Sequence, residues 1–137
     1  PLLVKSLSDE NPQVRRLSAA ALGATGNIEA VKPLCHSLLH DSSIAVRRTT
    51  GDALSDIGDS SAQASMIESL KDQNKLVRWR AARFLNDLGT EEALPALELA
   101  KDDPEFEVQL EIKAAIERIQ KGGQGLGPVW KRIVEQW

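Results

Sequence analysis

The sequence predicts an all-α fold, a right-handed α-solenoid of about four helix pairs with a short C-terminal capping helix. Three observations predict it: a repeat period close to 31 residues, an apolar stripe at helical spacing in each copy, and residues typical of helix ends at the limits of the stripes. Self-similarity at a fixed period indicates a stack of equal units, because a pair of short helices buries its apolar face only against its neighbours.

Four aspartates set the period, and a valine follows five residues after each of them. The aspartates are Asp9, Asp41, Asp72 and Asp103, and the valines are Val14, Val46, Val77 and Val108. From each valine, apolar or small residues follow at positions +4, +7, +8 and +11. These positions share one side of an α-helix, so each copy predicts an amphipathic first helix, termed the A helix.

A second apolar pattern follows each of the first three A helices and predicts a second helix, termed the B helix. Its residues are Ala30, Val31, Leu34 and Leu38 in the first copy, Ala62, Met66, Ile67 and Leu70 in the second, and Ala93, Leu94 and Leu97 in the third. No strand pattern separates the two helices of a copy, so the copies must share one continuous core.

The limits of the A helices carry their own signals. The dipeptides at 11–12 and 103–104, Asn-Pro and Asp-Pro, predict an N-cap side chain followed by proline at the first helical position. A glycine, typical of a left-handed residue after a helix end, follows the last apolar position of three A helices: Gly26, Gly58 and Gly89.

These residues resemble HEAT repeats, specifically the short HEAT-like type named after phycobilisome lyases. The resemblance rests on a D-x5-R spacing, an A-A-x-A-L-G-x-x-G turn and an A-V-x-P-L second helix, and it covers nearly the whole chain. The HEAT-like repeat domain then spans residues 1–121. The domain consists of a partial repeat, 1–8, and of the repeats 9–40, 41–71, 72–102 and 103–121. A glycine-rich linker, 122–127, and a capping helix, 128–137, follow it.

Three segments are also similar to the C-terminal half of a bacterial family of conserved virulence factors. They are residues 51–58, residues 77–85 and residues 128–131. In that family the repeats follow a domain related to iron–sulfur carrier proteins. Residues 1–9 look like the end of a B helix without its A helix, so we expect the chain to be the C-terminal module of a larger bacterial protein with a domain upstream.

Composition limits the chemistry that the chain can perform. It contains two His, one Cys, one Met and no Tyr among 137 residues, and it has no G-x-S-x-G, P-loop or Ser-His-Asp motif. We therefore expect no catalytic residue and a role as a non-catalytic protein–protein interaction scaffold. The alternative is an accessory subunit or domain of an enzyme acting on a protein-bound or metal-containing substrate, since lyases are also built from such repeats.

Charge and apolar runs favour another protein as the partner. The formal charge of −3 disfavours nucleic acid, whose binding depends on Lys and Arg that neutralise phosphates. No apolar run of about 18 residues predicts a membrane span. A single cysteine forms no internal disulfide and fits a reducing compartment, so we expect a cytoplasmic location.

Cys35, His36 and His40 are the candidates for metal binding. His36 and His40 are four residues apart and share a helix face. We nevertheless expect no metal and no other cofactor, because a closed zinc site needs four ligands and a third and a fourth are missing. HEAT-repeat hydroxylases hold iron with His-Glu dipeptides, which this sequence lacks. Cys35 then takes an aliphatic position of the repeat as a small buried hydrophobe.

The most regular charges are the pairs of the D-x5-R spacing, which we expect to form a structural ladder along the stack. The pairs are Asp9 with Arg15, Asp41 with Arg47, and Asp72 with Arg78. Each arginine lies beside the apolar stripe, from which its planar guanidinium can reach loop carbonyls and the aspartate of its own or an adjoining repeat. The alternative is a row that binds anions. Gln109 replaces the arginine in the last repeat, as suits a repeat with no following neighbour.

The position after each ladder arginine predicts a protein-binding surface on the outermost line of the A helices. This row consists of Arg16, Arg48, Trp79 and Leu110. Arg80 and Arg83 extend it into a basic patch, and exposed Trp and Arg dominate binding energy where they occur. The alternatives are a solvated ridge with a cation–π contact between Arg48 and Trp79, and a nucleic-acid site.

The C-terminal segment 128–137 contains the last amphipathic pattern. Its residues Trp130, Ile133, Val134 and Trp137 keep the i, i+3, i+4 and i+7 spacing of a helix. Repeat four has no B helix of its own, so we expect this segment to cap its exposed face. Docking on another chain, including a weak homodimer through the tail, is the alternative.

Ending the chain at Gln120 tests the predicted cap. We expect truncation to lower the melting temperature and to expose an apolar patch that binds a hydrophobic dye, because Ile112, Ile116 and Ile119 lose their cover. Thermal melts and dye fluorescence of the full and truncated chains measure the two effects. A truncated chain that melts as before and stays monomeric would contradict the cap and assign the tail to a partner.

Overall fold

A computed structural model describes residues 2–122 of the chain, and over that range it contains helices and no strand. The all-α prediction is confirmed, whereas the predicted capping helix lies outside the described residues. The helices in chain order are α1 (Leu2–Ser6), α2 (Pro12–Thr25), α3 (Val31–His40), α4 (Ile44–Ile57), α5 (Gln63–Ser69), α6 (Lys75–Leu88), α7 (Leu94–Ala100) and α8 (Phe106–Gln120). Between residues 2 and 122, no helix is long and apolar enough to cross a membrane.

The helices form two layers. The A helices α2, α4, α6 and α8 pack side by side in chain order, and each of α1, α3, α5 and α7 packs against the A helix that follows it. Short 3₁₀ turns lead into α3, α5 and α7. The predicted apolar stripes meet between the layers, where the largest fully buried side chains include Phe84, Leu34, Leu54, Met66, Leu97 and Ile112.

A polar residue caps the start of the first three A helices. The side chains of Asn11, Ser43 and Asn74 accept backbone N–H groups of the first turn. The predicted N-cap at Asp103 is wrong, because α8 begins at Phe106 and the carboxylate of Asp103 accepts the N–H of Glu105 instead. Asp103 therefore belongs to the turn before the helix, in the same place as the other repeat aspartates.

The helix ends show two ways to satisfy terminal carbonyls. Gly26 and Gly58 have φ of 66° and 69°, so the left-handed prediction is confirmed for them. It is wrong for Gly89, which is extended at φ −66° and ψ 150°. A side chain is excluded at Gly89 for a different reason, because a Cβ there would lie 2.5 Å from the carbonyl oxygen of Leu85. The carbonyls at this end of α6 are bound by an arginine of α8.

Gly23 tests the close packing of α2 on α4. A Cβ at Gly23 would lie 2.7 Å from both Cα and Cβ of Ala53. We expect Gly23→Ala to lower the free energy of unfolding by about 1–3 kcal/mol, the usual cost of overpacking. Gly51→Ala is the control, because its Cβ would first meet Cγ of the flexible Arg80 side chain, at 3.0 Å. Equal urea midpoints for the two variants would contradict this packing.

Candidate functional site

The ladder arginines connect each repeat to the next one. Arg47 donates from Nε and Nη2 to the two carboxylate oxygens of Asp72, at 2.9 and 3.3 Å, and from Nη1 to the backbone carbonyl of Asp41 at 3.0 Å. Arg15 binds the carboxylate of Asp41 in the same way. The sequence allows each arginine to bind the aspartate of its own repeat or of an adjoining one. In the structure Arg15 and Arg47 bind the carboxylate of the aspartate in the following repeat. From the aspartate of their own repeat they bind the backbone carbonyl.

The third pair repeats this geometry, and the fourth position ends it. Arg78 binds the carboxylate of Asp103 and the carbonyl of Asp72. In the last repeat Gln109 donates from Nε2 to the carbonyl of Asp103 at 2.6 Å. Glutamine thus keeps the bond within the repeat and gives up the charged bond to a following one.

The ladder side chains are shielded from water and engaged at every donor nitrogen. Exposed fractions of the three arginines and their carboxylate partners are 5–14%. In each arginine Nε, Nη1 and Nη2 all donate within the stack. The hydrogen bond to Asp41 raises the pKa of Arg15 above its usual value. This geometry supports the structural role over the anion-binding alternative, which needs donors that point to solvent.

Arg118 is a further buried cation that sequence reasoning missed. It donates to the backbone carbonyls of Leu85, Asn86 and Gly89, at the end of α6. Burial lowers the pKa of Arg118 from its usual value, against the opposing effect of nearby Asp87. Arg118 therefore takes the place of a left-handed glycine cap on α6 and fixes α8 to it.

The outer row is less uniform than the sequence predicts. Arg48 and Leu110 are exposed, whereas Arg16 and Trp79 are half-buried. Trp79 packs against the edge of the core. The cation–π contact with Arg48, part of the alternative interpretation as a solvated ridge, is wrong, because the guanidinium over the indole belongs to Arg80, at 5.1 Å from the ring centroid.

The rest of the basic patch is partly engaged with neighbouring side chains. Arg16 donates to Gln13 at 3.0 Å. Arg83 pairs with Asp87 at 3.3 Å and with Glu111 of α8 at 3.5 Å. The cationic character of the patch is therefore reduced, and Trp79 is its distinctive feature.

A groove of about 500 Å³ lies between the starts of α6 and α8 and is termed the α6–α8 groove. Its lining residues are Lys75, Leu76, Trp79, Glu105, Glu107 and Val108. Trp79 of α6 therefore lines the same groove as Glu107 and Val108 of α8. Leu76 and Leu110 add exposed apolar surface on the same two helices, with exposed fractions of 43% and 52%. Sequence reasoning identified Trp79 and Leu110 but missed Leu76, since a leucine beside the buried stripe carries no signal of its own.

Cys35, His36 and His40 do not converge on one site. Cys35 packs half-buried against the core, and burial raises the pKa of its thiol despite a hydrogen bond with Ser65. The two histidines are exposed, with ring centroids 4.6 Å apart. In the range 2–122, no group of three or more His, Cys, Asp or Glu is arranged to hold a metal ion.

Comparison with known proteins confirms the resemblance to HEAT repeats. A sequence profile of HEAT repeats matches residues 1–48 and residues 31–117. Conserved virulence factor C of Staphylococcus saprophyticus is 45% identical over 136 residues, which are 99% of this chain and 37% of that protein. Deoxyhypusine hydroxylase of Candida glabrata is 31% identical and aligns with 76% of this chain and 42% of that protein. The chain thus spans less than half the length of these two relatives.

Two solved structures share the fold. The complex of CpcE and CpcF of phycocyanin lyase from Nostoc sp. PCC7120 gives a TM-score of 0.71 at 25% identity, over 84% of this chain and 52% of that chain. Human deoxyhypusine hydroxylase in complex with glycerol gives a TM-score of 0.72 at 27% identity, over 88% of this chain and 43% of that chain. The shared architecture is thus found in proteins with different activities.

Arg47 and Arg16 form a matched pair for testing the ladder. We expect Arg47→Ala to lower the free energy of unfolding by about 1–3 kcal/mol, because it leaves the carboxylate of Asp72 without its charged partner. Arg16→Ala removes a half-buried guanidinium whose hydrogen bond among the described residues is to Gln13, and it should stay within about 0.5 kcal/mol of the parent chain. Urea unfolding measures both, and equal stabilities would contradict the ladder.

Proposed function

The chain belongs to the HEAT-repeat family, and we propose that it is a non-catalytic protein-interaction module whose binding site is the α6–α8 groove. It would act as the C-terminal module of a larger bacterial protein. This fits the alignment with Conserved virulence factor C of Staphylococcus saprophyticus, which covers 37% of the length of that protein. Its cytoplasmic location and a weak homodimer through residues 128–137 stay predictions.

The observation that carries the proposal is a tryptophan held in an apolar groove with a charged rim. Trp79 packs against the core and lies under the guanidinium of Arg80, so it needs little ordering when a partner binds. Binding hot spots are enriched in Trp and Arg and lie in pockets from which water is expelled. Lys75 and Glu107 at the rim supply charges of both signs that orient a partner.

The ladder supports the same site by fixing its two walls. Arg78, one residue before Trp79, binds Asp103 at 2.8 Å, and Glu105 of the groove follows Asp103 by two residues. The groove is therefore formed in the free chain rather than on binding, which favours specific recognition.

The alternative function is an accessory subunit or domain of an enzyme acting on a protein-bound or metal-containing substrate. It is favoured by the likeness to phycocyanin lyase and to deoxyhypusine hydroxylase. Elemental analysis and an absorption spectrum of the purified chain separate the two functions. Metal or a chromophore bound at one equivalent per chain would favour the alternative. Under our proposal, dialysis against a chelator should leave the helix content of the chain unchanged.

Trp79→Ala and Leu99→Ala form a matched pair for the groove, since Leu99 is an exposed leucine on α7. Each variant is used as bait in a bacterial extract with chemical cross-linking, and the affinity of each captured protein is then measured in purified form. We expect Trp79→Ala to weaken binding by at least about tenfold, as loss of a hot spot does, and Leu99→Ala to leave it unchanged. Equal binding by the two variants would contradict the groove as the site, and a parent bait that retains no protein would contradict the interaction function.

A further inference from the structure

The rim of the α6–α8 groove carries charges that the fold does not use. Among residues 2–122, Lys75, Glu105 and Glu107 form no ion pair and no side-chain hydrogen bond. By contrast, Arg78 and Arg83 of α6 are each paired with a carboxylate in α8 or in the turn before it. The groove therefore combines an apolar floor with two carboxylates and one ammonium group that are available to another segment.

A second cavity lies at the opposite end of the same two helices. It has a volume of about 460 Å³, and its lining residues include Asp87, Arg118 and Gly122. Trp79 of the groove, Arg83 and Asp87 are four positions apart and so lie along one side of α6. The groove and the second cavity are thus the two ends of one valley between α6 and α8.

The chain leaves α8 at the second cavity. Gly122 is left-handed, with φ of 70°, and its N–H donates to the carbonyl of Ile119, so α8 ends there. From Val108 to Gln120, α8 extends about 18 Å at the rise of an α-helix. Residues 122–127, of which four are glycine, can span about 20 Å when extended. Residues from 128 onward can therefore reach back along the valley to the groove.

The sequence of residues 128–137 is complementary to the groove. This segment lies outside the described residues, and its apolar residues at helical spacing are Trp130, Ile133, Val134 and Trp137. Its charged residues are Lys131, Arg132 and Glu135, a net charge of 2 − 1 = +1. Lys75, Glu105 and Glu107 give the rim a net charge of 1 − 2 = −1. Apolar surface and charge thus both match.

We propose that residues 128–137 of the same chain dock in the α6–α8 groove and cover it until a partner displaces them. This inference rests on the proposed function, because it regulates the site assigned there to the partner. In the docked state the apolar residues of the segment pack on Leu76 and Trp79, and its basic residues face Glu105 and Glu107. A partner then binds only the fraction of molecules with an open groove, which lowers its apparent affinity.

The full chain labelled with fluorotryptophan tests the docking by fluorine NMR. The chain has three tryptophans, so single Trp→Phe variants assign the resonances. We expect the resonances of Trp130 and Trp137 to be shifted from the position of an unfolded peptide. Leu76→Asp, at a groove residue that is 43% exposed, should move both resonances to that position. Leu99→Asp on α7 is the matched control and should leave them unchanged.

Two results of this measurement would overturn the proposal. The first is a parent chain in which both resonances already lie at the position of an unfolded peptide. The second is a shift that Leu76→Asp leaves unchanged, which would place the segment elsewhere, for example over the end of repeat four. Dilution and sedimentation separate one further case, since a shift that disappears on dilution of a dimer would assign the groove to the tail of a second copy.

Binding of a hydrophobic dye to the full chain gives a second readout. We expect replacement of Trp130 and Trp137 by alanine to raise dye fluorescence, because the groove is then uncovered, and Leu76→Asp to abolish that rise. No rise, or a rise that Leu76→Asp leaves in place, would overturn the proposal. Neither readout uses a partner. Their failure therefore leaves the affinity comparison of Trp79→Ala with Leu99→Ala standing, and failure of that comparison leaves the fluorine shifts in place.

Discussion

A charge-assisted bond from an arginine of one repeat to an aspartate of the next is the interaction on which the rest of the structure depends. The apolar stripes between the layers are rich in Ala and Leu, and burial alone is not directional, so it does not fix how far one helix pair slides along another. The bidentate geometry of guanidinium and carboxylate does fix it. Each such bond is worth about 1.5–3 kcal/mol where it is shielded, and we infer that its larger role is to specify one register.

The same aspartate also organises the chain locally. Its Oδ1 accepts the N–H two residues on, and that residue is the N-cap of the next A helix in the case of Asp72 and Asn74. One side chain therefore connects the preceding repeat, the turn and the helix start. At the third interface the ion pair of Arg78 and Asp103 brings Trp79 of α6 beside Glu105, which precedes α8. The same contact that joins the two repeats thus also positions the walls of the groove.

The period of the aspartates and valines was sufficient to predict the helix pairs and their buried faces, because those properties are local. What the sequence did not show depends on contacts between distant residues. The end of α6 is held by Arg118, which is 29 positions after Gly89, so the glycine alone suggested the wrong backbone conformation. Trp79 shares a row with Arg48 by helical angle, but it lines the α6–α8 groove together with Val108 of α8.

The central claim is that arginine and aspartate stabilise the stack by acting on each other. A double-mutant cycle on Arg47 and Asp72, with each replaced by alanine alone and together, measures this coupling in the free energy of unfolding. The account predicts a coupling of about 1–3 kcal/mol, because the two side chains share two hydrogen bonds in a shielded site. A coupling near zero, with the two single effects simply additive, would contradict it.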